Sequence, residues 1–130
     1  MSDWTPDQLA TIGAADELQV TTVRPNGLLR AYATIWVVRV GDDLYVRSWR
    51  GRGGAWFRAV QQRPEGRIRA GGIERDVTFE EAGDADPNSI DQAYRTKYAR
   101  YARTYVDPMV APAARAATLR LFPRQARATR

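Results

Sequence analysis

LLRAYATIWVVRVGDDLYVRSWRGRGGAWFR, residues 28–58, is the stretch from which the fold can be read. Leu28 to Val40 is rich in β-branched and aromatic residues, Gly41-Asp42-Asp43 is a turn signal, and Leu44 to Trp49 returns as a strand. Arg50-Gly51-Arg52-Gly53-Gly54 then breaks the pattern, and Ala55 to Arg63 reads as a short helix ended by Pro64 and Gly66. A strand running through a Gly- and Arg-rich loop into a helix offers freed backbone amides, a helix N-terminus and guanidinium groups, which together favour an anion. The same residues also read as a flexible connector with solvated arginines. Their spacing matches neither a Walker A sequence nor a dinucleotide fingerprint.

Upstream, Glu17 to Val23 is a strand, and Pro25-Asn26-Gly27 joins it to the long run as a hairpin turn, so the three runs form a meander. Downstream, Arg67 to Ala70 and Ile73 to Glu81 flank Gly71-Gly72. In the latter, Ile73, Arg75, Val77 and Phe79 share one face and Glu74, Asp76, Thr78 and Glu80 the other, which predicts one wet side. Thr118 to Phe122 is the last short strand, followed by an Arg-rich tail. Thr5-Pro6-Asp7-Gln8 is a capping box that opens a short helix to about Ile12. Ser89-Ile90-Asp91-Gln92 is a second, opening the longest helix, on which Tyr94, Tyr98, Tyr101 and Tyr105 make one stripe before Pro108 and Pro112 limit it. The expected fold is mainly β (α+β): a six-stranded antiparallel barrel with a short N-terminal helix, an interposed helix and a C-terminal helix, all in one domain over residues 1–130.

A chain of 130 residues with 44% hydrophobic and 27% charged residues has the balance of one globular domain. It has no apolar run of membrane-spanning length and no leader pattern, so the expectation is a soluble, unexported, cytoplasmic protein. With no cysteine and no histidine there is no disulfide framework, thiol nucleophile, Ser-His-Asp triad or His metal site. Glu74 and Asp76, like Glu80 and Glu81, read as a solvated face rather than a metal or glycosidase pair. An enzyme of this composition would let a bound cofactor carry its chemistry.

The net charge of +5 is unevenly spread. Residues 24–75 carry eleven Arg against four acids, and 91–130 carry nine bases against two, whereas 1–23 and 76–90 hold acids and no base. Lys97 is the only lysine. Arginine suits bidentate recognition of phosphate or carboxylate, so a polyanionic ligand is favoured. By parity Arg30, Tyr32 and Thr34 share a face of the long strand, which either lines a groove or meets solvent. Trp36, Trp49 and Phe57 read as core or interface, while Trp56, directly after the glycine loop, is placed to border a planar ligand. Tyr101 or Tyr105 could present a hydroxyl to a pocket.

The order of these elements resembles a known superfamily. Leu18 to Val23, the Gly27 turn, Arg30, Ile35-Trp36-Val37-Val38, Gly41 to Val46, Ser48, Gly54-Ala55-Trp56-Phe57 and Gly71-Gly72 resemble the flavin-binding split barrels of pyridoxamine-phosphate-oxidase type, in particular the deazaflavin-dependent nitroreductase and quinone reductase branch. Ile90 to Tyr98 and Ala114 to Leu121 resemble a bacterial group within it known only as a domain of unknown function. The resemblance implies a six-stranded Greek-key split barrel, a homodimer, and a flavin-type cofactor near the subunit interface, either deazaflavin coenzyme F420 or FMN. It places cofactor contacts at Arg30, Ser48, the loop of Arg50, Gly51, Arg52 and Gly54, and Ala55 and Trp56; to these the residues themselves add Thr34 and Arg47 as candidate contacts and Tyr32 or Tyr101 as the candidate proton donor. Ala33-Thr34 stands where the deazaflavin branch has a Pro-Leu or Pro-Val pair, and arginines stand where it has a loop lysine. The function implied is hydride transfer between a bound deazaflavin and a small acceptor such as a quinone or nitro compound. Alternatives are an FMN-binding reductase, a non-catalytic flavin-binding module and a nucleic-acid-binding barrel.

Overall fold

The computed structural model describes residues 4–101 and 103–124. Its elements in order are α1 (Pro6–Ala14), β1 (Leu18–Thr22), β2 (Ala33–Ile35), β3 (Val38–Val40), β4 (Asp43–Arg47), a 3-10 turn (Gly51–Gly53), α2 (Ala55–Gln62), β5 (Glu65–Ala70), β6 (Ile73–Glu81), α3 (Pro87–Lys97), α4 (Arg103–Val110), α5 (Pro112–Arg115) and β7 (Thr118–Pro123). The strands pair antiparallel in the order β2-β1-β5-β6-β7-β4-β3. Although β2 and β3 lie at opposite edges of that order, only Trp36 and Val37 separate them in sequence. Three Cα steps span at most about 11 Å, so the two edges must meet and the sheet is curled on itself. No helix among the described residues is long and apolar enough to cross a membrane.

The run expected as one strand from Leu28 to Val40 is therefore divided, and the described residues form seven strands rather than six. Its first part pairs with β1 (Gln19 opposite Thr34) and its last part with β4 (Val38 opposite Tyr45). At the switch, α3 supplies what the ladder does not. The Tyr98 hydroxyl accepts from the Val37 N–H (3.2 Å) and donates to the Asp16 carbonyl (2.8 Å), while Lys97 Nζ donates to the Val37 carbonyl (2.6 Å). Trp36 stacks on the Tyr98 ring, with centroids 3.8 Å apart and planes within 5°.

Burial pushes the Lys97 ammonium down to about 8. An unfolded chain would keep that proton to about pH 10.4, so between pH 8 and 10 the unfolded state binds more protons and stability rises with pH. Above about pH 10 the sign reverses, because burial raises the Tyr94 and Tyr98 phenols and only the unfolded chain then loses those protons. Urea midpoints should climb from pH 7.5 to about 9.5, and Lys97→Met should flatten the climb. Parallel curves for the two proteins would refute this assignment.

The remaining elements follow local chemistry. Thr5 and Gln8 form the expected capping box on α1. The α3 cap differs from expectation: Asp86, not Ser89, accepts from the Asn88 amide, with Pro87 at the first helical position, so the helix starts earlier. It also stops at Lys97, which splits the tyrosine stripe. Tyr94 and Tyr98 are fully buried beside Val38, Tyr45, Ile90 and Val106, whereas Tyr101 and Tyr105 are exposed. Pro108 lies inside α4 and Pro112 opens α5, so neither proline ends a helix as expected. On β6 the predicted alternation holds at its centre, with Val77 and Phe79 in the barrel core among Leu18, Val20, Leu44, Ile68 and Leu121, and Asp76 and Glu80 exposed. The Arg-rich tail lies largely outside the described residues.

Candidate functional site

Where β1, the segment 30–36, the end of β4, the start of α2 and one face of α4 converge, they enclose an open cavity of about 900 Å³. That is the upper range for a site taking a cofactor-sized ligand. Among the described residues no carboxylate lines it, but Arg24, Arg30, Arg47 and Arg50 do. Apolar wall comes from Ile35, Trp36, Trp49, Trp56, Pro108 and Met109.

Part of the cavity's lining is polar. The helix α2 starts at Ala55 with Gly54 as its cap residue, and no side chain caps it. Its first-turn amides are thus open to an anionic partner. Ser48, on the strand end, is buried, and a Cβ placed on Gly54 would come to 2.5 Å from the Ser48 hydroxyl oxygen. Glycine here lets the helix start close over Ser48. Arg30 has a buried Nε with no hydrogen-bond partner among the described residues. Arg50 lies over the exposed Trp49 ring at 4.8 Å. Arg24, Arg30 and Arg50 form no ion pair among the described residues, whereas Arg52, Arg63, Arg67, Arg69, Arg100 and Arg120 all do. Buried polar groups without partners are rare and call for an explanation.

Of the residues singled out from sequence, Arg30, Thr34, Ser48, Arg50, Gly54, Ala55 and Trp56 come together at this cavity. Arg47 also borders it, but its guanidinium is committed elsewhere. The side chain is fully buried, donating to Asp91 (2.5 Å), to the Met109 carbonyl (2.8 Å) and to the Thr118 hydroxyl (2.9 Å).

Four of the residues singled out from sequence are placed away from this cavity. Arg52 does not line the cavity: it donates to the Ala116 carbonyl and forms a two-pronged pair with Glu81 (2.7 and 3.1 Å), and its hydrogen bond to Glu81 holds that carboxyl below the usual carboxylate range. Gly51 packs against Ala113 with φ +74°, a turn position rather than a cavity wall. Tyr32 lies under the Arg69 guanidinium at 4.3 Å, because residues 30–32 are irregular and strand parity begins only at Ala33. Tyr101 packs against Trp36 at 5.3 Å, off the cavity. What sequence reasoning missed is Arg24 and the α4 wall of Thr104, Pro108 and Met109. Arg24 had a signal, an arginine beside a hairpin turn without a nearby acid, whereas α4 reaches the cavity only through tertiary packing.

Solved structures share this fold. A pyridoxamine 5'-phosphate oxidase-type protein of Listeria innocua aligns with TM-score 0.61 at 14% identity, over 90% of this chain and 90% of that one. An FAD-binding protein of Mesorhizobium loti aligns with TM-score 0.61 at 13% identity (92% and 87%), and an F420 reductase with TM-score 0.55 at 16% (89% and 92%). At these identities the likeness establishes the split-barrel fold. No curated protein matches in sequence. The model of a bacterial family described as "uncharacterized protein conserved in bacteria" (DUF2255) matches residues 8–121, and the chain belongs to that family.

Proposed function

We propose that the cavity binds a flavin-type cofactor, deazaflavin coenzyme F420 or FMN, and that the chain is an oxidoreductase acting on a small acceptor such as a quinone or nitro compound. The observation that carries this reading is the polar part of the cavity's lining. Arginines without an ion pair, the partnerless Arg30 Nε, the Ser48 hydroxyl and an uncapped helix start all border the one cavity, with no carboxylate in its wall among the described residues. An oxyanion is the partner such groups take. The donor set and the flat aromatic wall therefore fit a planar ring with an anionic tail. Solved structures of the same fold are named for F420, FAD and pyridoxamine phosphate chemistry, which supports the same class.

When bound, the ring would itself supply the hydride, so the missing histidine and cysteine cost the reaction little. The chain's share is binding and orientation. Arg30 and Arg50 hold the anionic group with the α2 amides, Ser48 and Thr34 hydrogen-bond, and Trp56 walls the ring. Trp49 and Tyr105, 59% and 65% exposed at the mouth, are the side chains a second copy would cover in a homodimer.

The test is a fluorescence titration of the purified protein with F420 and, separately, FMN, at moderate and high salt. Saturable, salt-tolerant binding of one supports the reading and justifies an acceptor screen. Binding of neither, with steeply salt-dependent binding of single-stranded nucleic acid, would overturn it. Gly54→Ala sharpens the test. Its φ of −62° suits alanine, so the fold should survive with less than about 1 kcal/mol lost, while displacement of the Ser48 hydroxyl should weaken cofactor binding about tenfold.

A further inference from the structure

Arg47 stands between two cavities. On its far side, the β6–α3 connection, the start of α3 and the α5–β7 turn enclose a second hollow of about 290 Å³, again without a lining carboxylate. Arg47 and Arg115 border it and share one counter-ion. Asp91 accepts from Arg47 Nη1 through one oxygen and from Arg115 Nε (2.9 Å) through the other. Two guanidinium groups share this one buried carboxylate, where the Arg47 side chain has no exposure and Arg115 is about a third exposed at the rim; the exposed Asp86 carboxylate at the start of α3 also faces Arg115.

The N–H groups are also incompletely used. A guanidinium has five N–H donors. Nε and Nη1 of Arg47 bond Thr118, Asp91 and the Met109 carbonyl, but Nη2 has only a long 3.5 Å contact with the Pro87 carbonyl. Arg115 uses Nε and Nη2, on Asp91 and Asn88, and its Nη1 has no hydrogen-bond partner among the described residues. The first turn of α3 is already capped by the Asp86 carboxylate, so the affinity of the hollow rests on the two guanidinium groups. Unspent guanidinium donors at the wall of a hollow are satisfied by an anion.

We propose that this hollow is a second site, binding a small oxyanion of the phosphate class on Arg115 with Arg47 behind it. The anion neutralises the Arg47–Asp91–Arg115 cluster and so fastens α3 and α5 to β4 and β7. The site does not depend on the cofactor reading.

The experiment uses the full chain carrying Arg30→Ala with Arg50→Ala, which removes the anion-binding arginines of the main cavity. Thermal unfolding is followed with inorganic phosphate against chloride at constant ionic strength. At phosphate about tenfold above its Kd, the midpoint should rise by about 4–6 °C. Adding Arg115→Gln should abolish the rise, and Arg115→Lys should keep part of it. Phosphorus NMR line broadening, which needs no unfolding transition, should rank the three proteins in the same order. No phosphate-specific rise, or one that survives Arg115→Gln, overturns the proposal.

Discussion

Asp91→Ala should lower the unfolding free energy by about 3–5 kcal/mol, because it strands the Arg47 guanidinium, which has no solvent exposure, without a counter-ion. Single domains are stable by about 5–15 kcal/mol, so the loss is a large share of the total. One arginine here ties five elements together: β4 carries it, α3 supplies Asp91 and the Pro87 carbonyl, α4 the Met109 carbonyl, α5 the second arginine on Asp91, and β7 the Thr118 hydroxyl. Breaking a buried pair and replacing it are different changes. Arg47→Met with Asp91→Leu removes both charges, lets Arg115 turn to solvent and should cost far less than Asp91→Ala alone. Urea midpoints with slopes measured for all three proteins decide the matter. Asp91→Ala within about 0.5 kcal/mol of wild type would show that the pair does not hold the helices to the barrel.

Local chemistry made much of the fold legible. The α1 capping box, the Pro25-Asn26-Gly27 turn, where Gly27 has φ +89°, and the alternation of β6 each depend on neighbours a few residues away. The division of residues 28–40 was not legible, since Trp36 and Val37 leave the ladder only because β4 is waiting on the far side of the closed sheet. Pairing between distant strands has no local signature. Arg47 and Arg50, three residues apart, illustrate the same limit in the site: one is sealed under α3 and the other stands at the cavity mouth. A signal for Arg47 did exist. Asp91 lies on the helix face of Tyr94 and Tyr98 (i, i+3, i+7), and an acid on an aromatic stripe predicts a buried partner. Alternation along β4 puts Arg47 with Tyr45, on the face opposite Leu44 and Val46, where that partner lies.

Arg30→Ala with Arg50→Ala should leave the fold intact and weaken cofactor binding by two to three orders of magnitude. Each charge-assisted hydrogen bond to phosphate is worth about 1.5–3 kcal/mol, and a decade of affinity is about 1.4 kcal/mol, so two lost contacts reach that range. Neither arginine forms an ion pair among the described residues, whereas Arg52 does, so removing them should not disturb the barrel. Arg52→Ala is the matched control: it sits in the same glycine loop, but its guanidinium is held by Glu81 and the Ala116 carbonyl, so affinity should not move. Among the described residues the lining holds neither carboxylate nor histidine. The pH dependence of FMN binding should therefore follow the ligand alone, tightening as the phosphate loses its second proton near pH 6 and staying flat from about pH 7 to 9. Unchanged affinity in the double variant, or an equal loss in Arg52→Ala, would place the anionic group elsewhere. A further titration step in that pH range belonging to the protein would mean that a group outside this cavity wall controls binding.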